Sequence, residues 1–214
     1  MATARKWSNV AVAMQSALAA AKTVTAVTKA NPGVASSTAH GYSNGDYVLL
    51  TAQGMFQIDG MVARVAGVTA DTFQLEGVNT TDFDTFTSGT AEKITFGTSI
   101  TTATTISASG GDFDFIDTTT IHSNVRTQIP GIANPSNFTM DNIWDVSDAG
   151  LVAMKSASDG QDMRAFKFTF GTGGQIMVFA GYVGATLLPG GAAQQLVTTG
   201  AVVTMFGRPN YYAS

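Results

Sequence analysis

The chain has 214 residues, no cysteine and a formal net charge of −4, with 11 Lys and Arg against 15 Asp and Glu. The acidic balance argues against binding to the phosphates of nucleic acid, and the missing cysteine excludes disulfides, thiolate metal sites and cysteine nucleophiles. Charged residues are only 12% of the chain, about half of the usual share, so we expect part of the surface to be buried against other subunits. No apolar run approaches the roughly 20 residues that span a bilayer, so no membrane partner is expected.

The first predicted element is a strand near the N-terminus. Val10, Val12 and Met14 alternate with small alanines, which predicts a strand. Residues 17–22 fit either a strand or a helix. Thr, Val, Gly and Phe are abundant and nearly all acidic residues are Asp, a composition that favours strands and turns over the whole chain.

Residues 23–92 form a block of short β-branched and aromatic runs separated by tight turns. The predicted strands are residues 24–28, 47–51, 61–68 and 72–75. The block is predicted to be a small β module of its own.

A second block begins near Lys93, with predicted strands at residues 94–100, 112–120 and 138–144, and leads to the one predicted helix. Asp145 or Ser147 is the expected N-cap, Leu151 and Met154 share one face, and Gly160 is the expected stop. One helix among many strands predicts an α+β fold that is mainly β.

The segment after the helix predicts a hairpin with unusually apolar strands. Alternate positions of its first strand are Phe, and its second strand, residues 176–183, is apolar on both faces. Such a strand lies either at the centre of a sandwich or at a subunit interface. The candidate subunit-interface residues are Phe166, Phe168, Phe170, Ile176, Val178 and Phe179. A final strand at residues 201–206 has the same character.

Few residues suggest chemistry. His40 and His122 lack the partners of a catalytic group, and each is expected to have a structural role. Asp112, Asp114 and Asp117 are the densest acids, but their spacing does not fit a calcium loop, so a solvated acidic face is expected. The sequence thus predicts no catalytic residue, no cofactor and no metal site.

From residue 114 onward, the chain resembles the tail tube (major tail) proteins of long-tailed bacteriophages. The resemblance is carried by residues 114–119, 126–131, 137–150, 166–183 and 202–209, in this order and spacing. It implies a β-sandwich with a flanking helix, formed by residues 1–22 and 93–214. It also implies a virion protein, assembled in the host cytoplasm as stacked hexameric rings, that conducts double-stranded DNA. The implied partners are further copies of the chain and the tape measure, tail tip and tail terminator proteins.

A second resemblance falls within the first block. Residues 32–34, 39–46 and 68–75 resemble a small β module common in phage tail proteins and named after part of the ubiquitin-activating enzyme. Without cysteine, no ubiquitin chemistry is implied. The resemblance implies that residues 23–92 are an inserted module, expected on the outer face of the tube.

The acidic balance suits a DNA duct, since like charge in the lumen keeps the duplex from adhering. Asp112, Asp114 and Asp117 are the candidate lumen-facing acids, although a solvated subunit boundary would satisfy the same residues. Two alternatives stay open: another β structural protein, such as a capsid decoration protein, or a glycan-binding β module. The wide sequence separation of Trp7 and Trp144 gives no indication of an aromatic binding cluster.

Overall fold

The computed structural model describes residue 7, residues 9–171 and residues 173–213. Strands make up 49% and helix 7%, which confirms the mainly β prediction with its one helix. The elements are β1 Val10–Met14, β2 Ala17–Leu18, β3 Lys22–Val24, β4 Ala26–Val27, β5 Val34–Ser36, β6 Tyr47–Gln53, β7 Val62–Ala66, β8 Thr72–Leu75, β9 Ser88–Thr95, β10 Thr98–Ile100, β11 Ala103–Ser109, β12 Phe113–Asp117, β13 Gln128–Ala133, β14 Asn137–Ile143, α1 Ala149–Gly160, β15 Met163–Phe170, β16 Ile176–Ala185 and β17 Thr198–Tyr212, with a single 3-10 turn at Phe56–Ile58.

The first sheet has seven strands in the order β10-β1-β15-β16-β17-β14-β11. Its inward-facing side chains form one hydrophobic core, over which α1 packs through Leu151 and Met154. Phe179 lies at the centre of an aromatic stack, with ring centroids 5.3 Å from Phe138 and 5.6 Å from Phe166. Period-two alternation places these rings on one face, as the sequence predicts.

The helix begins one residue later than a cap at Ser147 predicts and three residues later than a cap at Asp145 predicts. The carboxylate of Asp148 accepts the backbone N–H of Leu151 at 2.9 Å and is the N-cap. Asp145 instead accepts the N–H and hydroxyl of Ser147, which makes a turn before the helix. Gly160 is the last helical residue, and Gln161 takes the left-handed conformation that ends the helix.

The second sheet follows the order β2-β9-β6-β7-β8-β5-β4, with β3 also paired to β9. It encloses a separate core that includes Leu50, Phe73 and Leu75, all almost fully buried. Residues 17–22, which fit either a strand or a helix, contribute β2 and the start of β3. Pairing with β9 overrides the helix preference of their alanines.

The two cores are joined by a third cluster, the junction cluster. Its members are Leu49, Val62, Ile94, Ala165, Val178, Ala180 and Tyr212. The hydroxyl of Tyr212 accepts the backbone N–H of Arg64 at 2.8 Å, and the Arg64 guanidinium lies 4.6 Å from the Tyr212 ring centre. Arg64 is also paired with Glu76. Residues of the second sheet therefore cover the outer face of β16.

Candidate subunit interface

A two-stranded hairpin, here called the arm (residues 112–134), extends from the ends of β11 and β14. Its strands β12 and β13 pair with each other, with Ile116 opposite Ile129, and with no further strand of the described residues. At the base, the N–H of Asn134 binds the carbonyl of Asp112 at 2.8 Å. The arm is thus a formed hairpin with two free outer edges.

Both faces of the arm are open to solvent, and every residue from 111 to 130 is exposed. The exposed fraction is 61% at Phe115, 95% at Ile121 and 86% at Ile132. An isolated two-stranded hairpin is marginally stable in water, and clustered apolar side chains on a surface are typical of an interaction site. The arm therefore has the composition of a surface that another molecule covers.

A groove, here called the seam groove, lies between the two ends of the first sheet, with β1 and β10 on one side and β11 on the other. It has a volume of about 510 Å³ and is lined by both β1 and β11. Val10, Ala103 and Ile106 form its floor and pack against the first core. Trp7, 57% exposed, stands at the rim. The groove is lined entirely by uncharged residues.

A second groove, the junction groove, has a volume of about 530 Å³ and lies between the 3-10 turn and β17. Phe56, 68% exposed, and Phe206, 39% exposed, supply its aromatic surface. Asp59, Asp82 and Arg208 also line it. It therefore combines apolar surface with two carboxylates and one guanidinium.

Residues 53–214, which are most of the chain, match the family model of the phage tail tube protein, TTP. The chain belongs to the phage tail tube protein family. Proteins of this family are structural and non-enzymatic, and membership implies a virion tail component that self-assembles into a tube. The match begins inside residues 23–92, and the resemblance to the ubiquitin-activating enzyme module is not shown. A search of curated proteins found no match.

All three candidate lumen acids of this tail tube protein lie on the arm and are exposed. Asp114 accepts the side-chain amide of Asn134 at 3.2 Å. Hydrogen bonds from the side chain and backbone of Thr119 lower the pKa of Asp117. Strand alternation puts Asp114 and Asp117 on opposite faces, so the structure does not bring the three together as one cluster.

Most of the six candidate interface residues lie in the interior of the chain and not on its surface. Phe166, Phe168, Val178 and Phe179 are at most 1% exposed within this single chain. Buried side chains offer no surface to a neighbour in this fold, so these four are wrong as interface residues. Phe170 and Ile176 are partly buried, and the Phe170 ring centre lies 5.8 Å from that of Trp7. The apolar faces of β16 are explained by the first core on one side and the junction cluster on the other.

His40 is a buried structural residue in a turn. Its Nδ1 accepts the N–H of Tyr42 at 3.0 Å, while Nε2 lies 3.3 Å from the carbonyl of Thr72. His122 lies in the exposed turn at the tip of the arm. Across the described residues, no three His, Asp or Glu side chains are grouped to hold a metal ion. No described helix is both long and apolar enough to cross a membrane.

Two strands of the candidate interface are not predicted from the sequence. β13 contains Pro130 and Gly131, a pair that favours a turn, and so it was not predicted as a strand. β11 is rich in Ser, Thr and Ala and lacks a clear alternation. The sequence signal that points to this surface is the mixture of Phe, Ile and Asp in β12, which fits neither a core strand nor an ordinary solvated strand.

Proposed function

We propose that this chain is the structural subunit of a phage tail tube, polymerising as stacked hexameric rings that form the duct for DNA delivery to the host. The observation that carries the proposal is the arm, which exposes apolar side chains on both faces. Within a family that assembles with itself, a second copy is the available cover. The tape measure, tail tip and tail terminator proteins are the further partners proposed, with assembly in the host cytoplasm.

The size of the effect follows from two phenylalanines of the arm. Phe113 is 52% exposed and Phe115 is 61% exposed. A Phe side chain buries roughly 150–250 Å², so covering each removes about 100 Å² from water. At about 25 cal/mol per Å², each contributes about 2.5 kcal/mol to a subunit contact. Assembly is therefore expected to depend strongly on this pair.

The test is electron microscopy and sedimentation of purified protein over a range of concentrations. Replacing both residues, Phe113→Ser with Phe115→Ser, should raise the concentration needed for tubes by roughly three to four orders of magnitude. Phe56→Ser is the matched control, because Phe56 is similarly exposed but lies off the arm. A wild-type chain that stays monomeric at high concentration, even with a tail-tip initiator, would contradict the proposed function.

We also propose that Asp112, Asp114 and Asp117 contribute negative charge to the lumen. These carboxylates must stay in contact with water, since burying each one unpaired costs several kcal/mol, and like charge would keep DNA from adhering. Reversing two charges, Asp112→Lys with Asp114→Lys, should slow DNA ejection from particles that still assemble. The control reverses Asp82 and Asp84 in the loop between β8 and β9. Unchanged ejection, or carboxylates on the outer wall of a tube reconstruction, counts against the lumen role.

Residues 23–92 are proposed to be an inserted module on the outer face of the tube. The separate core of the second sheet supports this division. Replacing residues 23–92 with a short linker should leave tubes able to form, with lower stability because Val178 and Tyr212 lose their cover. Density for these residues along the lumen of a tube reconstruction would refute the outer position.

A further inference from the structure

The seam groove is bounded by two incomplete strand edges. β10 pairs with β1 from Val12 to Met14, so at Val10 and Ala11 the described part of β1 has a partner strand on one side alone. β11 pairs with β14, and no described strand lies along its other edge. Unpaired backbone donors and acceptors at such edges are available to pair with another chain.

We propose that the seam groove is the seat for the arm of a second copy of this chain, with β12 lying along the free edge of β11. The proposal rests on the proposed function, because it requires that copies assemble. It adds where on the neighbour the arm binds. This is strand addition to an open sheet edge, in which backbone hydrogen bonds supply affinity and side-chain pockets supply specificity.

The choice of β12 follows from the two arm strands. β13 carries Pro130, which has no N–H to donate to a ladder, whereas β12 is free of proline along its whole length. Phe113 and Phe115 share one face of β12 and can cover the apolar floor of the groove. Asp114 lies on the opposite face and stays in water. Asp117 shares the face of Phe113 and Phe115 but is the last residue of β12, so the proposed seat requires its carboxylate to stay at the solvated end of the groove, because burying it unpaired would be costly.

The occupant must come from another copy. Gly110 and Gly111 join β11 to the arm, both with left-handed φ angles of 84° and 83°. The arm that they direct is exposed throughout residues 112–130, while no described residue of the same chain fills the seam groove. A chain with both halves of a contact unfilled can satisfy each half with a neighbour, which is the heterologous arrangement that builds open stacks.

The junction groove is the rival seat and is less suitable. Asp59 and Asp82 line it with Arg208, so its net charge has the same sign as that of the arm, where Asp112, Asp114 and Asp117 outnumber Arg126. Like charges brought together at a contact oppose binding. The uncharged seam groove has no such cost.

The absence of cysteine from the native sequence allows a direct test. Three single variants are made: Ile116→Cys on the arm, Thr105→Cys in the seam groove and Asp82→Cys in the junction groove. All three native side chains are exposed. Equal mixtures of the arm variant with each groove variant are assembled, checked for tubes, treated with a short bis-maleimide and analysed by peptide mass spectrometry.

We expect cross-linked dimers joining positions 116 and 105, and a loss of cross-linking to background with Asp82→Cys. Ile129→Cys, opposite Ile116 on the arm, is the second arm variant and should give the same pattern. Tubes whose arm cross-links to position 82, or not to position 105, would overturn the seam seat while leaving the tube function intact. Wild-type protein that forms no tubes and no cross-linkable contacts would overturn the proposed function itself.

Discussion

Replacing Tyr212 tests whether the junction cluster holds the two sheets together. The side chain is 5% exposed, its ring lies against Arg64, and its hydroxyl accepts the Arg64 backbone N–H. We expect Tyr212→Phe and Tyr212→Ala to be destabilising in that order, because the first removes a hydrogen bond and the second also removes the ring.

The magnitudes come from the two parts of this contact. Tyr212→Phe leaves the Arg64 N–H without its acceptor, which costs about 1–3 kcal/mol. Tyr212→Ala adds the loss of a buried ring, worth about 3–5 kcal/mol. A domain of ordinary stability has about 5–15 kcal/mol in total, so the alanine variant should be close to unfolding under mild denaturation.

The assay is urea unfolding of the unassembled protein, followed by tryptophan fluorescence. Trp144 is a suitable reporter because its indole N–H binds the carbonyl of Leu187 at 2.9 Å. Tyr211 supplies the matched controls, Tyr211→Phe and Tyr211→Ala, since this neighbouring tyrosine is 69% exposed. Equal losses at the two positions, or an unchanged midpoint for Tyr212→Ala, would refute the assignment of the junction cluster.

Three further predictions concern stability in the unassembled chain. Burial raises the pKa of Tyr42 and Tyr212 from 10.0 to about 12, so the folded state binds these protons more tightly than the unfolded state. The stability that they contribute is fully present below pH 10 and falls as the pH rises toward 12. This fall should be less steep in Tyr212→Phe. Asp148→Ala removes the N-cap of α1 and should cost about 1 kcal/mol in urea unfolding, whereas Asp145→Ala should cost less. Gly60→Ala should lower the melting temperature clearly more than Gly77→Ala, because both have a left-handed φ but only at Gly60 would the new Cβ lie 2.3 Å from the Phe206 ring.

The fold could be predicted wherever the local pattern and the tertiary environment agree. Phe166 and Phe168 alternate with less apolar residues, and both face the first core. Leu151 and Met154 share a helix face and are buried. In contrast, the true cap of α1 was ambiguous, because Asp145, Ser147 and Asp148 are all good capping residues and only the backbone conformation selects among them.

The role of β16 could not be decided from the sequence. Met177 and Phe179 enter the first core, while Val178 and Ala180 enter the junction cluster. A strand covered on both sides by its own chain has the same apolar pattern as one covered by a neighbour. The difference depends on whether residues far away in sequence, such as Leu49 and Val62, fold back onto it, and no local pattern contains this information.

The arm shows the reverse case, in which the folded chain leaves apolar residues uncovered. Most apolar side chains of the strands around it are buried in the chain's own cores, yet Phe115, Ile121 and Ile132 remain largely exposed. Burial in the same chain cannot account for them, and exposed clusters of this kind favour aggregation unless a specific partner covers them. A family whose members assemble with themselves supplies that partner. The low charge of the sequence is therefore best explained at the seam groove, whose lining is uncharged and is the surface proposed to meet the arm of the next copy.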